Sequence, residues 1–130
     1  TTTPGGLVFF FEFWTLSAIK YLEILAFLRY FFNAKNKKPL LGICLGMQVI
    51  GLHNRWELKK LPQRKVGIYP VSGWWGNTYE TFWHDYTVGP DFYREENVIG
   101  VQFHPEYQSS KDKPHPVLVE FINLCKQYEI

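Results

Sequence analysis

Five residues, Gly42-Ile43-Cys44-Leu45-Gly46, constrain this chain more than any other stretch. They overlap the apolar run Leu40-Leu41-Gly42-Ile43, which has the length and purity of a strand buried on both faces. Leu45 to about His53 has helical composition, so Cys44 stands where a buried strand turns into a helix. A glycine two residues to either side is the pattern of a nucleophile elbow with cysteine at its centre. Such a turn holds the central residue in a strained backbone conformation and requires small neighbours. The helix N-terminus favours a thiolate. The backbone N–H of Leu45 points where an oxyanion would form after attack on a carbonyl. A buried structural cysteine is an equally good reading of these five residues alone.

A second constellation is Gln102-Phe103-His104-Pro105-Glu106. Pro105 argues against a helix here and biases His104 toward extended geometry, where residues two apart share a side. His104 and Glu106 then face the same way, and a carboxylate beside an imidazole fixes its tautomer and stabilises its protonated form. In isolation, a surface histidine beside a surface glutamate is the better reading. The apolar run Asn97 to Phe103 reads as a strand, however, and α/β sheets carry their sites at strand ends.

The rest of the chain supports one α/β domain. Its 130 residues suit a single core, and 5 Trp, 8 Tyr and 11 Phe exclude a disordered chain. With 14 Lys+Arg against 12 Asp+Glu, nothing marks a nucleic-acid binder driven by bulk charge. Glu12, Lys20, Glu23 and Arg29 interrupt the apolar stretch Leu7 to Phe32, well short of the roughly 18 residues a membrane span needs. Two cysteines and no cleavable leader make the cytoplasm the expected compartment. A strand end runs into Pro4-Gly5-Gly6, and Thr15 caps a helix to about Phe32. Val66 to Val71 and Tyr79 to Val88 read as strands separated by a turn at Ser72 to Asn77. Pro116 opens a last helix whose buried face carries Leu118, Phe121, Ile122 and Cys125. No Cys/His spacing suggests a metal site, and no cofactor is expected.

Gly42 to Gln48, G-I-C-L-G-M-Q, with Gly100 to Glu106, G-V-Q-F-H-P-E, resembles the class I glutamine amidotransferase family. Pro4-Gly5-Gly6 is similar to that family's oxyanion loop, and the three blocks stand in the family's order. The tail from Pro105 through Phe121 is similar to the glutaminase domain of CTP synthases. The resemblance implies a flavodoxin-like, mostly parallel sheet with helices on both faces, and hydrolysis of the glutamine side-chain amide. It assigns Cys44, His104 and Glu106 to a catalytic triad, and Gly6 and Leu45 to the oxyanion site. Gly5, Gly46, Gln48 and, on a looser match of Trp83 to Val88, His84 would lie around the substrate glutamine. The implied partner is a synthetase subunit or domain that accepts ammonia.

Against the family, the chain is short: it begins almost at the Pro4-Gly5-Gly6 loop, and Leu7 to Phe11 is unusually aromatic. Residues 1–130 are therefore expected to form one shortened, N-terminally incomplete glutaminase domain, whose open sheet edge could self-associate. A γ-glutamyl hydrolase of the same fold and a non-catalytic module are the alternatives. Arg55 to Lys65, with five basic residues and one acid, and Trp74-Trp75 are candidate docking features.

Overall fold

A computed structural model of the chain describes residues 7–11 and 39–129. Leu7–Phe11 forms β1, which runs parallel to Leu40–Cys44, β2, from Leu7 opposite Leu40 to Phe11 opposite Cys44. Leu45–His53 is α1. Lys59–Gly73 and Gly76–Thr87, β3 and β4, form a long antiparallel hairpin. Phe92–Glu95 and Val98–Val101 are β5 and β6, and Pro116–Glu129 is α2. The main sheet has the order β1-β2-β6-β5, parallel except for β5.

Strand alternation assigns each face of this sheet its cover. Leu41, Ile43, Ile99 and Val101 look into a core completed by Phe82 of the hairpin, Phe103, and Val117 and Phe121 of α2. On the opposite face, Gly42 and Gly100 admit α1. A Cβ at Gly42 would stand 2.6 Å from Ile50 Cδ1, and one at Gly100 would stand 3.1 Å from Met47 Cγ. Helices therefore cover both faces of a mostly parallel sheet, the α/β arrangement expected from the sequence.

The hairpin turns its inner face, with Val71, Glu80, Phe82 and His84, toward this core and leaves Val66, Ile68 and Tyr79 exposed. Its two-residue tip folds back. Trp75 lies over Gly73, where a Cβ would come within 2.3 Å of the indole, and packs against Phe92, Phe103 and His115. Trp74 stacks edge-on against Trp75 and donates its indole N–H to Glu120 at 3.1 Å. Trp75 thus serves internal packing, while Trp74 stays exposed.

A buried polar chain fastens α2 to the hairpin. The Val117 N–H donates to His115 Nδ1 at 3.0 Å, so the ring proton sits on Nε2, which donates to Glu80 Oε2 at 2.6 Å. The Thr78 hydroxyl donates to the same oxygen at 2.5 Å and accepts the Trp75 indole N–H at 2.9 Å. Glu80 and His115 are both buried, so each relies on the other for the hydrogen bonds that water would otherwise supply.

Three further expectations change. Pro105 was read as preventing a helix, yet it opens the 3-10 turn Pro105–Gln108, because proline suits a first helical position whose N–H needs no partner. Ile122 is half exposed, and Val117 takes its place on the buried face of α2. β5 had no sequence counterpart, since its four residues, two aromatic then two charged, show no alternation along a half-covered edge. Cys125 packs against the core as expected. The Thr15 to Phe32 helix and the Pro4-Gly5-Gly6 loop lie outside the described residues. Among those described, no helix is long and apolar enough to cross a membrane.

Replacing Glu80 with Ala leaves the His115 N–H and the Thr78 hydroxyl buried without an acceptor. The expected loss is about 3 kcal/mol of unfolding free energy, measured by urea denaturation, with a smaller loss for Glu80→Gln, which keeps an acceptor oxygen.

Candidate active site

Cys44 is the last residue of β2 and immediately precedes the first turn of α1. Its backbone sits at φ 56° and ψ −105°, a region costly for any side-chain-bearing residue, of order 1–3 kcal/mol. The turn is tight because β2 and α1 nearly touch. A Cβ on Gly42 would lie 2.8 Å from the carbonyl carbon and oxygen of Gly46, which explains the first glycine of the pattern. Leu45 opens the helix, where the first N–H groups have no intrahelical acceptor.

His104 arrives from the other side, three residues beyond β6, with an extended backbone at φ −103° and ψ 91°. Its N–H donates to the Thr81 carbonyl of β4 at 2.8 Å, which fixes its height along the hairpin. The 3-10 turn then brings Glu106 back, so that its Oε2 lies 3.0 Å from His104 Nδ1. The two side chains face each other as the sequence suggests, although a turn achieves it instead of strand alternation. Tyr107 stacks on the imidazole at 5.2 Å between centroids.

Burial disfavours the charged form of His104, but hydrogen bonds to Cys44 and to Glu106, reinforced by their charge, outweigh it. The ring is pushed from 6.5 up to about 10. The imidazole is thus backed by a carboxylate and is held protonated near neutral pH. This arrangement can hold an imidazolium beside a thiolate and give its proton to a leaving group.

Two more contacts surround the sulfur. Cys44 Sγ lies 3.7 Å from the Trp83 carbonyl of β4 and 3.7 Å from Gln102 Nε2. Gln102 is fully buried, and its Oε1 accepts from Gln48 Nε2 at 3.2 Å. Gln48 Nε2 also donates to the Tyr86 carbonyl at 2.8 Å, so the side chain expected near substrate is engaged in bracing the site. His84 Nδ1 lies 2.7 Å from the same carbonyl, and its buried Nε2 has no partner. Burial pushes the His84 ring below its usual value, against the raising effect of Tyr86. Gln102 had no role assigned from sequence, though a lone polar residue between Val101 and Phe103 in a buried run was a usable signal. Gly5 and Gly6 fall outside the described residues. Among those described, no cluster of three side chains could hold a metal.

A family model described as glutamine amidotransferase class-I matches residues 20–68. A CTP synthase of Chlamydia trachomatis serovar L2 is 52% identical over 33 residues, covering 25% of this chain and 6% of that protein. A glutamine-hydrolyzing GMP synthase subunit of Ignicoccus hospitalis is 31% identical over 118 residues, covering 70% of this chain and 62% of the relative. The imidazole glycerol phosphate synthase subunit HisH 2 of Campylobacter jejuni is 32% identical over 116 residues, covering 60% of each. The chain spans less than two thirds of the length of each of these relatives. A solved protein of Thermoplasma acidophilum described as a GMP synthase subunit shares the fold, with a TM-score of 0.63 and 22% identity over 83% of this chain and 67% of its own. The chain is similar to class I glutamine amidotransferases over these segments.

The raised His104 value has a direct readout. Between pH 6.5 and about 10 the folded chain binds a proton that the unfolded chain has released. The stabilisation from the charged ring is complete below pH 6.5 and is lost as pH rises through about 10. The His104 ring resonances are therefore expected to stay constant from pH 6 to 8 in an NMR titration and to move only near pH 10, whereas an unpaired imidazole would titrate close to 6.5.

Proposed function

We propose that the chain is a glutaminase domain that hydrolyses the side-chain amide of glutamine and delivers ammonia to a synthetase partner. The observation that carries this reading is Cys44 on a positive-φ elbow beside an imidazole that is itself backed by Glu106 at 3.0 Å. In this mechanism Cys44 and His104 rest as a thiolate and an imidazolium, and the sulfur attacks the amide carbon of the substrate. The Leu45 N–H and a glycine of the Pro4-Gly5-Gly6 loop, Gly6, hold the oxyanion, each worth about 3 kcal/mol of barrier.

His104 then protonates the amide nitrogen as the carbon–nitrogen bond breaks, and ammonia leaves a γ-glutamyl thioester. Water attacks the thioester carbon, giving its proton to His104, and glutamate departs as the carbon–sulfur bond breaks. His104 keeps the proton taken from water and the sulfur leaves as thiolate, which restores the resting pair. Glu106 orients the ring and stabilises its charge throughout. Gln48 and Gly46 shape the floor of the site, while Gly5 and His84 are assigned to the substrate's surroundings by family likeness.

The partner follows from chemistry as well as likeness. Free ammonia is a dilute and mostly protonated nucleophile near neutral pH, so a domain of this kind gains from releasing it into an acceptor's site. Three of the relatives carry names of subunits or a small chain of larger synthases, which supports a partner of that class. Cys44→Ala and His104→Ala should each lower glutamine hydrolysis by at least a thousandfold in an ammonia-release assay, because the triad acts as a unit. Turnover within tenfold of the parent chain in either variant would refute the assignment.

A further inference from the structure

A relay of side-chain amides connects β4 to the nucleophile. It starts at the Tyr86 carbonyl, an acceptor only, so the Gln48 atom 2.8 Å from it must be the amide nitrogen. That nitrogen also lies 3.2 Å from the Gln102 side chain, whose nearer atom must then be oxygen. With its oxygen turned to Gln48, Gln102 has only its amide nitrogen left to face Cys44 Sγ, at 3.7 Å. The direction of every bond is thus fixed by a backbone carbonyl two side chains away, and Gln102 has no freedom to flip. Gln102 is fully buried, so the bond to sulfur is shielded from water.

The two neighbours of the sulfur act in opposite senses. The Trp83 carbonyl, also at 3.7 Å, can accept from a thiol but repels a thiolate. An amide N–H gains from facing a thiolate and little from facing a thiol. We infer that Gln102 is a further catalytic residue, donating a hydrogen bond to the Cys44 thiolate, with Gln48 as the positioning residue that aims it. This rests on the reading of Cys44 as the nucleophile and deepens it. The donor holds the sulfur's charge in the resting site and after each thioester is cleared, when the thiolate leaves again.

The other titratable group bearing on the sulfur is His104, backed by Glu106, and His84 on the inner face of β4 has Lys65, Asp91 and Asp85 acting on it. None of these changes identity when Gln102 is replaced by methionine, which has nearly the same length and shape and no N–H.

The test is the pH profile of Cys44 alkylation by iodoacetamide in the intact chain, read by peptide mapping to separate it from Cys125. In Gln102→Met the midpoint should move to higher pH, with alkylation at pH 7 slower by roughly tenfold, the weight of a hydrogen bond to a charged group. Gln48→Met should shift the midpoint the same way by a smaller amount, since the Gln102 amide is then free to rotate. In the unmutated chain, the Gln102 side-chain amide resonances should move with the Cys44 titration, which tests the contact without a substitution. An unchanged midpoint in folded Gln102→Met, or amide resonances indifferent to the titration, overturns the inference. Alkylation needs no glutamine, so a chain that shows these shifts without turnover would sink the glutaminase reading while leaving the relay intact.

Discussion

The carbonyl edge of β4 is the reference from which the site is built. Three of its backbone oxygens are taken by three separate site residues. Thr81 receives the His104 N–H, Trp83 faces the Cys44 sulfur, and Tyr86 receives Gln48. Because carbonyls along one strand are rigidly spaced, these contacts fix Cys44, His104 and Gln48 relative to one another. The strand is itself held in place at two points. Glu80, adjacent to Thr81, is tied to His115 at the start of α2, and Asp85, between Trp83 and Tyr86, is paired with Arg64 of β3 at 2.9 Å. The first tie is buried and of structural consequence, whereas the second is exposed and contributes little.

This frame allows the elbow to carry strain. A cysteine at positive φ persists only when its surroundings over-determine it. Gly42 lets β2 approach the α1 backbone at Gly46, and the core face of Leu41 and Ile43 anchors the strand entering the turn. The conformation that results exposes the sulfur to His104 and Gln102 at the end of the parallel strands. The aromatic richness of the chain serves the same frame: Trp75, Phe82, Phe103 and His115 interlock between hairpin, sheet and α2.

The elements that were legible in the sequence are those whose chemistry lies in side chains at short spacing. Gly42, Cys44 and Gly46 announce the elbow, and His104 with Glu106 announces the pair, because steric and electrostatic demands act over two residues. β4 itself was legible as a strand, but its function was not, since a backbone carbonyl has no sequence signature. Gln102 was visible inside its motif without a role, because its partners Cys44 and Gln48 are more than fifty residues away. The edge strand β5 and the exposure of Ile122 were set by tertiary packing, which local periodicity does not encode.

The central claim is that this chain assembles a glutamine-cleaving nucleophile, and covalent labelling with a glutamine-like electrophile tests it most directly. Intact mass and peptide mapping should show a single adduct on Cys44, with Cys125 spared and free glutamine protecting. Folded protein that takes no label, or that labels Cys125 equally and without protection by glutamine, would contradict the account.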